Sequence, residues 1–227
     1  EVTSHYDLGN DFYKLWLDKT MSYSCAYFKS DTDTLEQAQR NKVDYILQKL
    51  YLKPGMTLLD IGCGWGFLLI EAAKKYHIKG TGITLSKEQH REFRERIEKE
   101  GLQDYLTAEL MDYRDLPAMG QKFDRVVSVG MVEHVGRENY HLFIDCVEKA
   151  LKDGGLFLLH FISALKEHPG DPWIKKYIFP GGVVPSLREM ISCMADDNFH
   201  VLDVENLRPH YNRTLLCWEH NFREHME

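Results

Sequence analysis

Leu58-Leu59-Asp60-Ile61-Gly62-Cys63-Gly64-Trp65-Gly66 decides the reading of this chain, because an apolar run ends there in an acid and three alternating glycines. A helical pattern starts at once, at Phe67. Glycine accepts left-handed backbone and lets the main chain approach a ligand where a Cβ would collide. The stretch therefore reads as strand, tight turn and helix, with a nucleotide-type cofactor at the strand's carboxyl end. Its D-x-G-x-G-x-G spacing departs from the G-x-G-x-x-G fingerprint of dinucleotide sites: the acid comes first, and no third glycine is expected at the helix-packing position. An ordinary tight strand-to-helix turn is the plain alternative.

Working outward, Leu35, Ala38, Val43, Ile46, Leu47 and Leu50 keep helical spacing over Thr34 to Leu50, and Lys53-Pro54-Gly55 stops that helix. The strand then runs from Met56 to Ile61. Downstream the pattern alternates: helix Phe67 to Tyr76, strand Ile78 to Ile83, helix Lys87 to Glu100, strands Tyr105 to Glu109 and Phe123 to Val129, helix Glu138 to Leu151, strand Leu156 to His160. This alternation predicts an α/β fold with a doubly wound, mostly parallel sheet and helices on both faces. Two late strands, His200 to Leu207 and Thr214 to Glu219, are expected to close it as an antiparallel edge hairpin. A helix is expected to begin at Asn221.

Two segments stand outside the alternation. Ser4 to Phe28 is dense in aromatics, and Ala164 to Pro185 mixes Pro169, Gly170, Pro180, Gly181 and Gly182 with Trp173, Tyr177, Ile178 and Phe179. Both read as covers over the cofactor end of the sheet, or else as peripheral packing. The expected organisation is one catalytic domain over 1–227: a helical leading segment 1–55, a core 56–163, a lid 164–198, and final strands with the start of a helix in 199–227. A chain opening on Glu1 and closing on an unfinished helix suggests a fragment.

With 227 residues and 44% hydrophobic content, the chain can bury a sizeable core. Its 28 basic and 35 acidic residues give a net charge of −7, which argues against nucleic acid as a partner. The odd number of cysteines (Cys25, Cys63, Cys146, Cys193, Cys217), without C-x-x-C spacing, argues against a disulfide framework and a zinc site, so no metal is expected. No window approaches 18 consecutive apolar residues. A reduced cytoplasmic setting fits best.

Ligands of open α/β sheets bind beyond the strands' carboxyl ends, near the switch in strand order. That rule gathers Asp60, Gly62 and Gly64, then Thr84-Leu85-Ser86, Asp112 and Tyr113, Glu133-His134, and His160 on one rim. The second strand lacks the terminal acid that binds ribose in nicotinamide enzymes. Taken alone, Glu133 fits a solvated loop as well as an active-site carboxylate, His160 fits a structural strand-end histidine, and Cys25 fits a small buried hydrophobe.

The glycine stretch resembles the first motif of class I S-adenosylmethionine (SAM) methyltransferases, whose fold is Rossmann-like. More specifically, His5-Tyr6-Asp7-Leu8-Gly9-Asn10-Asp11-Phe12-Tyr13, Tyr23-Ser24-Cys25-Ala26-Tyr27-Phe28, Gly130-Met131-Val132-Glu133-His134-Val135-Gly136 and Trp173-Ile174-Lys175-Lys176-Tyr177-Ile178-Phe179-Pro180 resemble the cyclopropane-fatty-acyl-phospholipid synthases and the related mycolic acid cyclopropane synthases. The resemblance implies SAM held by Tyr23, Ser24, Asp60, Gly62, Gly64 and the neighbouring Cys63, Trp65 and Gly66, by Thr84, Leu85 and Gln89, and by Asp112 and Tyr113, the last near the adenine. It also implies a bicarbonate ion among the Cys25 backbone, Glu133, His160, the Ile162 backbone and Tyr211.

The implied chemistry is transfer of the SAM methyl carbon to the cis double bond of an unsaturated phospholipid acyl chain. A carbocation results, and bound bicarbonate deprotonates it as the cyclopropane closes. Trp173, Tyr177, Phe179 and Tyr27 are candidates for cation-π contact with that centre. A methyltransferase making a methyl-branched lipid, or alkylating a small amine or phosphobase, is the alternative. Family members continue beyond the point where this chain stops and often carry a further amino-terminal domain. Implied partners are the inner face of the membrane, approached peripherally, and a second copy in a homodimer built through segments missing here. Lys175 and Lys176 among aromatics suit a lipid interface or a solvated lysine pair.

Overall fold

The computed structural model describes residues 9–226. Of the blocks quoted above, His5, Tyr6, Asp7 and Leu8 lie outside the described residues, as does the start of the leading segment at Ser4. After a short helix α1 (Asn10–Lys14) comes α2 (Leu35–Lys49), whose N-cap Thr34 accepts from the Gln37 amide. The α/β core follows as β1 (Thr57–Ile61), α3 (Phe67–Tyr76), β2 (Lys79–Thr84), α4 (Lys87–Lys99) and β3 (Leu106–Leu110). It continues through α5 (Leu116–Met119), β4 (Phe123–Val129), α6 (Tyr140–Ala150) and β5 (Leu151–His160). Helices α7 (Pro172–Tyr177), α8 (Leu187–Asp196) and α9 (Arg208–Glu224) complete the chain.

The strands form one sheet in the order β3-β2-β1-β4-β5, and every pairing is parallel. The side-chain period of two explains how β1 serves both faces. Leu58 points into the cluster formed with α2, α3 and α4, and Leu59 and Ile61 point into the one formed with α6 and α8. Burying each such side chain contributes roughly 1.5–3 kcal/mol. The chain runs outward from β1 to β3 and then crosses to β4, so the carboxyl ends of β1 and β4 flank the switch point where such sheets bind ligands.

The expected antiparallel edge hairpin is absent among the described residues. Residues 200–207 form no strand, and Thr214 to Glu219 lies inside α9. Tyr211, Thr214, Trp218 and Phe222 recur every three or four residues, and Pro209 suits a first helical turn. That helical period outweighs the brief apolar run Leu215-Leu216-Cys217 that reads as strand. The helix expected to begin at Asn221 is thus the end of one that begins at Arg208. Helix α8 was not expected either, although Ser186 and Glu189 form a capping box at its start. β5 starts five residues earlier than its apolar run, at Leu151.

The leading segment packs as a third cluster, in which Tyr13, Leu17, Met21, Ala26 and Phe28 meet Trp65 and Trp218. Among the described residues no helix is long and apolar enough to cross a membrane.

Candidate active site

The glycine turn is built by hydrogen bonds from the Gly62 and Cys63 amides to the Ile83 carbonyl, at 3.0 and 3.1 Å. Its glycines do different jobs. Gly66, at φ +83°, caps α3, and a Cβ there would lie 1.9 Å from the Phe93 ring of α4. Gly66 is therefore the close-packing glycine that the spacing was expected to lack. Gly64, at φ +56°, has nothing within 4 Å of a Cβ position. A left-handed residue beside open space suits close backbone approach to a ligand, so the turn fits the tail of SAM.

Asp60, at the end of β1, is only 3% exposed. Burial pushes its carboxyl up to about 7, partly opposed by the Lys42 ammonium. Lys42 comes from the inner face of α2 and donates to Ser24 Oγ at 2.6 Å. Burial pulls its own pKa down to about 8. Gln39, one turn earlier, donates to the carbonyls of Ser22 and Ser24 at 3.2 and 2.9 Å. Helix α2 thus fixes the Tyr23-Ser24-Cys25 loop against the sheet. The sequence pointed to neither Gln39 nor Lys42, yet Lys42 sits at helical spacing between Ala38 and Ile46 on an otherwise apolar stripe.

The remaining expected cofactor residues divide. Thr84 donates to Gln89 Oε1 at 2.8 Å, both being buried where α4 starts, while Leu85 is exposed. Asp112 accepts from the Arg114 backbone and guanidinium, which holds its carboxyl below the ordinary range. Tyr113 meets Phe143 edge-on at 5.3 Å. Trp65 donates to Asn10 Oδ1 at 2.8 Å and packs on Tyr13, so its indole belongs to the leading-segment core and only its backbone belongs to the turn. Cys63 is buried against Gly82. Tyr23 lies with Trp16 and Trp218, at ring distances of 4.8 and 5.5 Å.

The second group gathers past β4 and β5. The Gly130 amide donates to the His160 carbonyl at 2.9 Å, tying the two strand ends together. Glu133 accepts from the Ile162 amide through Oε1 at 2.7 Å, while Oε2 is buried with no partner among the described residues. Burial pushes the Glu133 carboxyl up to about 7 and pulls the His160 imidazole down to about 3, so His160 is neutral at pH 7. Burial also keeps the Tyr211 phenol protonated and raises the Cys25 thiol to about 11. Cys25 is thus no thiolate nucleophile. The Ile162 amide, expected to face an ion, is engaged by Glu133 instead.

Ser24, Cys25, Lys42, Glu133, His160 and Tyr211 all line one cleft of about 1780 Å³. This corner gathers hydrogen-bonding groups of complementary kinds. His160 and Tyr211 offer neutral donors, and Glu133 presents an oxygen without a partner that accepts a hydroxyl proton when ionised. Of the aromatics considered for a cation, Phe179 reaches His134 at 5.5 Å and Tyr23 at 6.4 Å. Trp173 and Tyr177 pair with each other at 5.6 Å and remain exposed, and Tyr27 stacks between Tyr45 and His210.

Comparison with known proteins identifies the family. The family model described as mycolic acid cyclopropane synthetase matches residues 1–227. The chain is 48% identical to the cyclopropane-fatty-acyl-phospholipid synthase of Escherichia coli K12, over 96% of the chain and 55% of that protein. It is 45% identical to a probable fatty acid methyltransferase of Pseudomonas putida, over 99% of the chain and 58% of that protein. The chain thus spans little more than half the length of these two relatives. Among solved structures, cyclopropane synthase MmaA2 from Mycobacterium tuberculosis superposes with a TM-score of 0.92 at 36% identity, covering 99% of this chain and 82% of that one. Mycolic acid cyclopropane synthase CmaA1 complexed with SAH and CTAB gives 0.91 at 37% identity, covering 98% and 82%. With its whole length matched and its fold shared, the chain belongs to the mycolic acid cyclopropane synthetase family.

Proposed function

We propose that this chain is the catalytic domain of an enzyme that transfers the methyl carbon of SAM to the cis double bond of unsaturated phospholipid acyl chains, forming cyclopropane fatty acids. The observation that carries the reading is the unpartnered, buried Glu133 oxygen in a cleft shared with His160 and Tyr211, beside a glycine turn open at Gly64. An N-methyltransferase, whose amine leaves no carbocation to manage, has no use for that corner.

When bound, SAM supplies the electrophilic methyl and bicarbonate supplies the base that takes a proton from it. Gly64 and its neighbouring backbone hold the cofactor's amino-acid tail, with Asp60 behind them. Neutral His160 and protonated Tyr211 donate to the anion, and Glu133 orients it while its other oxygen stays on the Ile162 amide. Phe179, Tyr23 and Trp218 form an aromatic wall that excludes water from a cationic centre. Exposed Trp173, Ile174 and Tyr177, with Lys175 and Lys176 on the same short helix, form the surface that meets the inner leaflet of the membrane.

The test mixes the full-length protein with SAM, bicarbonate and vesicles of unsaturated phospholipid, and follows the acyl chains by mass spectrometry. Gain of one CH2 with loss of the alkene supports the reading. A methylated amine with unchanged lipid sinks it. The Pseudomonas relative favours a second reading, a methyl-branched alkene, which is isomeric with the cyclopropane and is distinguished by ozonolysis before mass spectrometry, since only a surviving alkene is cleaved.

A further inference from the structure

An anion held beside an acidic side chain needs a positive charge nearby, and the Glu133 corner contains none of its own. His160 is neutral, Tyr211 keeps its proton, and Cys25 is a thiol. Of the other cations along the cleft, Lys49 is bound to Asp203 and Glu205, Lys152 to Asp124 and Arg188 to Glu167, while Lys175 is half-buried on α7 and Arg208 is exposed to solvent. Lys42 differs from them in two ways. It is buried, at 5% exposure, and its ammonium is bonded to a hydroxyl, Ser24 Oγ, with no carboxylate within ion-pair distance among the described residues. Asp18 and Asp60 act on it only at longer range. Through Ser24 it reaches the anion corner: the Ser24 Cβ lies 3.8 Å from a Cβ position at Gly130, whose amide bonds the His160 carbonyl at 2.9 Å, and its field also lowers the titration of Asp60 and of His160.

We propose that Lys42 is a positioning residue for the anion: from α2 it locks the Ser24 hydroxyl and supplies the uncompensated positive charge that retains bicarbonate at the Glu133, His160 and Tyr211 corner. This rests on the bicarbonate reading above. Burial strengthens the effect, since a charge with little solvent around it is weakly screened. Lys42 does not touch the reacting atoms. It makes the corner electrostatically tolerable for an anion that Glu133 alone repels.

The experiment titrates [13C]bicarbonate into the SAH-saturated full-length protein and follows line broadening by NMR, with SAH affinity measured separately by calorimetry. Lys42→Met keeps the length of the stem and removes the charge. It is expected to weaken bicarbonate binding about tenfold or more while SAH affinity changes less than threefold and the thermal midpoint shows the variant folded. Lys42→Arg keeps a positive charge at the same place, and is expected to hold bicarbonate within threefold of the wild type. Equal bicarbonate affinity in Lys42→Met and wild type overturns the role of Lys42 alone. Loss as large in Lys42→Arg as in Lys42→Met overturns it too, because the effect then does not follow the charge. Absence of bicarbonate binding to the wild type overturns the proposal together with the reading beneath it.

Discussion

Glu133→Gln separates the two halves of the site and leaves a signature in stability that activity alone does not give. The carboxyl moves from an ordinary 4.5 in the unfolded chain to about 7 in the folded protein, chiefly because it is buried. Below pH 4.5 both states carry the proton, and nothing is gained or lost. Between there and about 7 only the folded state keeps it, so stability falls as pH rises, and above that range the loss is complete. At 1.36 kcal/mol per pH unit, the loss is about 3 kcal/mol. Glutamine cannot ionise, and its carbonyl still accepts from the Ile162 amide. The variant should therefore match the wild type at pH 4.5 and exceed it by up to about 3 kcal/mol at pH 8, roughly 6–12 °C in thermal midpoint for a chain of this size. Urea or thermal unfolding at closely spaced pH values reads this directly, and any contribution from Asp60 cancels between the two proteins. Turnover should fall at least a hundredfold, with SAH affinity within threefold and partial rescue by added bicarbonate. Stability curves that run parallel from pH 5 to 8 would refute the burial argument, and an equal loss of SAH affinity would refute the division of the site.

Three further outcomes follow from the geometry. Gly66→Ala drives a Cβ to within 1.9 Å of Phe93 and should cost about 3 kcal/mol or more, whereas Gly64→Ala meets open space and should cost only about 1 kcal/mol while weakening SAH binding tenfold or more. Equal unfolding midpoints for the two variants would contradict the packing role given to Gly66. Cys25, with its thiol at about 11, should react with iodoacetamide at pH 8 about a hundredfold more slowly than a free cysteine, and peptide mass spectrometry showing rapid labelling would contradict its burial. Asp60, raised to about 7, should release a proton near pH 6.5 when the ammonium tail of SAH binds; calorimetry in buffers of different ionisation enthalpy detects this, and identical heats in all buffers would oppose it.

The parallel core was legible because Leu58, Leu59 and Ile61 alternate between two apolar faces while the intervening helices keep a 3.6-residue period, and the two patterns exclude each other. α9 was misread because Leu215-Leu216-Cys217 is too short a run to separate strand from helix, and only the longer series from Tyr211 to Phe222 decides it. Glu133, His160 and the glycine turn lay at strand ends, where topology alone points. Lys42 comes from the helix that precedes the sheet, and a lysine on an apolar stripe reads as a solvated stem until the Ser22-to-Cys25 loop is seen to close over it. The Trp65 indole was not legible for the opposite reason: adjacency in sequence to Gly64 says nothing about where an indole turns, and Asn10 and Tyr13 claim it while its backbone stays in the turn.

The electrostatics of the rim suit the reaction proposed for it. A sulfonium cofactor and a carbocation both need negative charge, but a permanently ionised buried carboxylate either collapses onto the nearest cation or draws in the water that would quench the product. Asp60 and Glu133 avoid both, since burial leaves each near the balance point at neutral pH and each becomes ionised when a cation arrives beside it. Lys42 suits the arrangement because its ammonium meets a hydroxyl, Ser24 Oγ, and neither carboxyl. A direct ion pair with Asp60 would cancel the field that reaches His160. The same lysine one helical turn away would leave the Ser24 loop unanchored. The position of Lys42 on α2 thus fixes where the loop closes and, under the proposed role, which side of the cleft accepts an anion, which would make the leading segment as much a part of this site as the glycine turn.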